Sequence, residues 1–221
     1  IAYMVSGLLI AGCAASDAIA AEVALNPLER AGLSVTVNLR EWLSQGKSAH
    51  SIAAPGHSPN VLSELTYQGL ASPITELSVD VVAQERVVLA LRIGGGGSIG
   101  HGTLLDEDFT GNNRTGKNSS TLSRADGGHV VYVSADTGFR LLRWTHDENP
   151  MKGGIDLILG YQFWQERYVS SGVTDLLPPL ASPIAAKAIT QTNDWHSLRL
   201  GAQTTIPVMG RVTVHASAVY I

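Results

Sequence analysis

Stretches in which apolar and polar residues take turns at every second position recur along this chain, and they restrict its fold more than any other feature. Val35, Val37 and Leu39 alternate with Thr36, Asn38 and Arg40. Leu77, Val79 and Val81 alternate with Ser78 and Asp80, and Val87, Leu89, Leu91 and Ile93 with Ala90 and Arg92. The same period continues through Val131–Phe139, Ile155–Phe163, His196–Thr204 and Val212–Tyr220. A period of two is that of a β-strand whose two faces meet different surroundings. Short and long connections take turns between these stretches. That is how a membrane barrel is strung, with trim periplasmic turns and large outer loops. The expected fold class is therefore all-β, an antiparallel transmembrane β-barrel, and the expected localisation is the outer membrane of a diderm bacterium.

The 221 residues amount to one domain without an internal repeat. A hydrophobic content of 44% with 15% charged residues excludes a disordered chain. The net charge of −4, without a Lys/Arg cluster, gives no reason to expect nucleic acid. No apolar run after residue 20 is long enough to span a bilayer as a helix, so strands must do the spanning. Cys13 is the sole cysteine, which rules out a disulfide framework and a thiolate metal cluster. Residues 1 to 12 form a short apolar run. Ile10-Ala11-Gly12-Cys13 resembles a lipoprotein cleavage box, while Ala18 and Ala20 suit an ordinary secretory cleavage. The ordinary signal over residues 1–20 is preferred, with the barrel domain over 33–221.

Strands are expected near 33–42, 61–83, 87–102, 129–143, 153–168, 195–206 and 211–221. Polar loops are expected at 43–60, 103–128 and 169–193, and tight turns at 84–86, 145–152 and 207–210. Ala71-Ser72-Pro73 should kink the second strand, and Gly94 to Gly97 should allow close packing or sharp curvature in the third. About seven strands is an odd count, whereas closed bacterial barrels have an even one. With the chain stopping at Ile221 inside a strand, a fragment truncated at both ends is expected. Trp42, Tyr67, Phe109, Trp144, Tyr161, Phe163, Trp164, Tyr168 and Trp195 fall mostly near strand ends, as interfacial girdles require. Packing inside a soluble sandwich is the competing account.

Asp106-Glu107-Asp108 places three acids in a row directly after a strand. Two carboxylates two residues apart in extended chain project to one side. Crowded together they share a proton, one pKa stays high, and a water can be polarised between them. A solvated acidic loop is the bland alternative. His101 and His129 flank these acids, but neither has ligand spacing to another histidine, so no metal is expected. His196 shares the apolar register of Leu198 and Leu200, and His215 falls on the wet side of its strand. Gly95-Gly96-Gly97-Ser98-Ile99-Gly100 fits a dinucleotide motif by spelling only, because a strand end and an acidic loop follow it instead of a helix. No cofactor is expected.

Ser63-Glu64-Leu65-Thr66-Tyr67, the long strand to Val82, the Gly-rich strand and Asp106-Glu107-Asp108-Phe109 together resemble the omptin family. Leu159-Gly160-Tyr161-Gln162, Glu166-Arg167-Tyr168 and Asn193-Asp194-Trp195-His196-Ser197-Leu198-Arg199-Leu200-Gly201 follow in the family's order. The resemblance runs from about Leu33 onward and looks closest to an omptin-like branch apart from the well-studied proteases. It implies an outer-membrane barrel of about ten strands rising above the membrane, contact with outer-membrane lipid and lipopolysaccharide, and a polypeptide substrate. It also implies catalytic roles for Asp106 and Asp108, facing an Asp-x-His pair in a loop beyond residue 221. The alternatives are a barrel without catalysis, serving as adhesin, structural protein or small-solute channel, and a soluble β-sandwich lipoprotein.

Overall fold

The structure is a computed structural model and describes residues 5–10, 14–21, 32–97, 102–146, 149–177, 184–209 and 212–220. It is all-β and antiparallel. Ten strands form one sheet: β1 (Val5–Ile10), β2 (Ala14–Ala21), β3 (Leu33–Ile52), β4 (Ser63–Ala83), β5 (Val87–Gly96), β6 (Gly102–Gly111), β7 (Thr115–His146), β8 (Asn149–Leu177), β9 (Ile184–Met209) and β10 (Val212–Tyr220). Along the sheet the order is β3-β4-β5-β7-β8-β9-β10, with β1 and β2 both paired to β3. β6 continues the line of β5. β4 pairs with β5 through Thr75–Ala83 and with β6 through Ser63–Gln68, and β7 spans both in the same way. One helical turn, the 3-10 segment Asn112–Arg114, closes the β6–β7 hairpin. Among the described residues no helix is long and apolar enough to cross a membrane, which says nothing about crossing by strands.

The expected strands all form, but several run much longer than their alternation suggested. The loop expected at 43–60 is strand as far as Ile52, and 103–128 is the β6–β7 hairpin. β8 continues to Leu177 and β9 begins at Ile184, so most of the loop expected at 169–193 is also sheet. Many buried positions in these segments are themselves polar, as at Ser48, His50, Ser120, Ser123 and Ser170, so the hydropathy period fades while the backbone ladder persists. The turn expected at Gln84–Arg86 is present. Gln84 and Glu85 both have positive φ, 49° and 58°, and Arg86 N–H donates to the Ala83 carbonyl at 3.0 Å. That is the mirror-image turn whose twist matches a two-residue hairpin.

The two faces of the sheet are inverted relative to a water-soluble protein. In register across β3, β4, β5, β7, β8 and β9 lie Val35-Val81-Leu89-Thr137-Leu159-Leu200, then Val37-Val79-Leu91-Ala135-Tyr161-Leu198, then Leu39-Leu77-Ile93-Val133-Phe163-His196. Much of this face is bare: Leu198 is 76% exposed, Leu200 64% and Leu159 55%. The opposite face carries Asn38-Ser78-Arg92-Ser134-Gln162-Ser197 and Thr36-Asp80-Ala90-Asp136-Gly160-Arg199. There Asp136 is only 5% exposed and Asp156 1%.

Those polar residues are joined into a belt. Asn38 donates to Ser78 at 3.2 Å and to Asp80 at 3.4 Å, and Arg92 reaches Asp80 at 3.5 Å and Asp136 at 2.9 Å. Arg199 donates to Asp136 at 2.9 Å and to Gln162 at 2.8 Å. On one side Arg140 pairs with Asp156 at 2.7 Å, and Gln203 adds a bond to Asp156 at 3.2 Å. On the other, Arg40 pairs with Glu76, which also accepts the Tyr132 hydroxyl. Two glycines make room for the belt. A Cβ on Gly160 would lie 2.0 Å from Asp136 Oδ1, and one on Gly94 would lie 2.4 Å from the Tyr132 ring.

The sheet curls around this polar face. Trp42 on β3 and Trp164 on β8 have β4, β5 and β7 between them, a lateral separation of roughly 19 Å in a flat sheet. Their ring centroids are 6.4 Å apart. Tyr67 on β4 and Tyr168 on β8 likewise approach to 4.9 Å across β6 and β7. The aromatic expectation is corrected here. Tyr67, Phe109, Tyr132 and Tyr168 are buried, and Trp42 and Trp164 pack against the same concave-side cluster. Of the residues read as a girdle, Tyr161 and Phe163 lie in the apolar rows, where both pack against exposed His196.

Candidate functional site

Asp106 and Asp108 sit on β6, in the part of the sheet beyond the apolar rows. Asp106 is registered with Leu65 on β4 and Thr121 on β7, and Asp108 with Ser63 and Ser119. Strand alternation puts both aspartates on the face that carries buried Leu104, the concave side. Glu107 points the other way and pairs with Lys117. Three consecutive acids are thus divided by the pleat into an inward pair and an outward ion pair.

The inward pair is electrostatically uneven. Burial pushes the Asp106 carboxyl above its usual range, the neighbouring Asp108 charge pushes it further, and a hydrogen bond from Ser63 opposes both. Ser63 Oγ donates to Asp106 Oδ1 at 3.3 Å. Below the pair lies Tyr67, fully buried, its hydroxyl pushed up to about 12 by burial and then by the Asp106 charge. That hydroxyl has no hydrogen-bond partner among the described residues.

A buried relay runs beside the pair. His50, which lies in the same cross-strand row as Leu65 and Asp106, bonds Ser48 Oγ through Nε2 at 2.9 Å. Ser48 lies close to the Tyr168 hydroxyl. Tyr168 donates to Glu166, which also accepts Trp164 Nε1 at 2.8 Å. A carboxylate only accepts, so Tyr168 and Trp164 are the donors there. Burial also holds the His50 imidazole below its ordinary pKa. The relay links β3 to β8 beside a small cavity lined by Gly46, Leu70, Ser72, Trp164 and Tyr168.

Above the pair the strand ends are latched together. Asn60 N–H donates to Asn112 Oδ1 at 2.9 Å, Asn60 Nδ2 to Asn113 Oδ1 at 2.9 Å, and Asn113 N–H to Asn60 Oδ1 at 2.7 Å. Arg114 grips Glu64 with two bonds, at 2.8 and 2.7 Å, and holds the Glu64 carboxyl below its usual range. The β3–β4 connection and the β6–β7 hairpin tip are therefore one surface.

The other sequence candidates fall elsewhere. His129 pairs with Arg167 and adjoins buried Val130, so it points away from the concave face and from Asp106. His101 and Cys13 lie outside the described residues, as does the side chain of His215. His196 is exposed in the apolar register, as expected. Gly95 and Gly96 are followed by strand β6 and not by a helix, so the glycine run is no dinucleotide loop. Sequence reading missed Ser63 as a neighbour of the acids, and the relay through His50, Ser48 and Glu166. The Ser48-x-His50 alternation was the available signal, hidden because residues 43–60 read as loop. No family model, curated protein or solved structure matches the chain.

Proposed function

We propose that this chain forms the wall of an outer-membrane β-barrel and acts as an omptin-like endopeptidase through Asp106 and Asp108. The observation that carries the barrel is the inverted sheet: bare leucines on the convex side and a belt of paired charges on the concave side. Apolar surface this continuous is stable only when something other than water covers it. From Ile155 to Phe163, β8 turns an apolar residue outward at every second position, a length suited to a hydrocarbon core crossed by tilted strands. In lipid the two sheet edges must meet, directly or through further strands.

The acid pair supports the endopeptidase reading. Burial and the Asp108 charge raise the Asp106 carboxyl, and a crowded pair of this kind can hold and polarise a water between its two carboxyls. The water must also surrender a proton as it attacks the peptide carbonyl. In the family this chain resembles, an Asp-x-His pair takes that proton. The polar belt and the aromatic cluster fill the concave side, which disfavours the solute-channel alternative.

The test uses the full-length protein folded in detergent, with a fluorogenic peptide as substrate. Asp106→Asn and Asp108→Asn are expected to lower cleavage about a hundred-fold or more while leaving heat-modifiable gel migration intact. A wild type that folds but cleaves no peptide would leave only the non-catalytic barrel, and cleavage retained in both variants would rule out the role assigned to the two aspartates.

A further inference from the structure

We infer that Ser63 is a positioning residue of this site: from β4 its hydroxyl holds the Asp106 carboxylate in place. The inference rests on the endopeptidase reading and adds to it a residue to which the resemblance gives no role.

The geometry is specific. Ser63 is the cross-strand partner of Asp108, yet its hydroxyl donates to Asp106 Oδ1 at 3.3 Å. Its hydroxyl therefore reaches diagonally across the pleat to the carboxyl two residues before its register partner. A hydroxyl that donates to a carboxylate stabilises the ionised form. Catalytic hydrogen bonds in unliganded sites are often long and tighten with substrate. Ser63 is itself fixed by the latch, since the adjacent Glu64 is gripped by Arg114 and the backbone of Leu62 accepts Phe109 N–H at 2.9 Å. β4 thus holds the donor while β6 carries both acceptors.

The groups facing Asp106 determine the sign. Burial and Asp108 on its own strand favour its protonated form, and Tyr67 on β4 lies below it as a neutral phenol. His50 on β3 shares its row through Leu65, and Asp175 on β8 lies beyond Thr121 in the same row. Ser63 is the group that pulls Asp106 toward ionisation. Without it the carboxyl titrates at higher pH, and the acid limb of the activity profile moves up with it.

The experiment compares wild type, Ser63→Ala and Ser63→Thr as full-length protein in detergent, with Asp108→Asn as the reference for the site itself. Each protein is assayed across pH with the fluorogenic peptide, and the Asp106 carboxyl is titrated directly by 13C NMR. Ser63→Ala is expected to cut kcat roughly ten-fold, the loss appropriate to a hydrogen bond to a charged group, with KM little changed. Its acid limb and its Asp106 midpoint should both move to higher pH, and Ser63→Thr should restore both. An unmoved Asp106 midpoint in Ser63→Ala, with an unmoved acid limb, would overturn the role of Ser63 while leaving the aspartates catalytic. A wild type without cleavage, or an active Asp108→Asn, would instead remove the endopeptidase reading and the positioning role with it. Should Ser63→Ala fail to fold, Ser63→Cys carries the same comparison, because a thiol is a much weaker donor of similar size.

Discussion

Asp136 shows what a single residue does in this sheet. Its carboxylate is nearly inaccessible and takes Arg92 on one oxygen and Arg199 on the other, both at 2.9 Å. Removing it strands two guanidinium groups on the concave side, and breaking a buried pair in this way costs about 3–5 kcal/mol. Asp136→Ala is therefore expected to lower stability by that amount in urea unfolding from detergent micelles or vesicles. An equal loss on replacing exposed Asp194 would contradict the assignment. Asp106 behaves in the opposite sense. Its folded pKa is raised, so between the ordinary carboxylate pKa and the raised one the folded state binds the extra proton. Stability then falls as pH rises through that interval. Asp106→Asn should stabilise the protein at neutral pH, with the gain vanishing in acid below that interval. Unfolding curves at neutral and acidic pH measure this, and a gain that persists in acid would contradict it.

At the scale of elements, legibility followed the solvent. Where one face meets apolar surroundings, as at Leu89, Leu91 and Ile93, alternation marked the strand closely. Where the buried face is itself polar, as at Ser120 and Ser123 or at Glu166, the backbone is still strand but the side chains no longer announce it. Asp106 and Asp108 were legible because their spacing matches the pleat. Ser63 and His50 were not, because they meet the acids only through register, and register depends on pairing across the sheet. The β4–β5 turn offers a test at this scale. Gln84 and Glu85 occupy left-handed backbone that Asn and Gly adopt more readily. The double change Gln84→Asn, Glu85→Gly should stabilise the protein by about 1 kcal/mol in the same unfolding assay. A loss of stability would mean the turn is not of this type.

For the whole molecule, the distribution of polarity matters more than any one contact. The concave side is filled by ion pairs and stacked aromatics, including Tyr132 on Trp164 at 4.9 Å, and the convex side is bare aliphatic surface. A soluble sandwich would need a second sheet over those leucines, whereas a barrel wall needs only lipid. The measurement that separates them is the accessibility of spin labels placed at Leu91, Leu159 and Leu198 against labels at Ser78, Ser134 and Gln162, in a Cys13→Ser background reconstituted into vesicles. The proposed barrel requires the first set to collide with oxygen dissolved in the bilayer and to be shielded from a water-soluble nickel chelate, with the second set showing no lipid contact. Labels at the three leucines that meet the chelate freely, or that are shielded from both reagents in a protein soluble without detergent, would contradict it.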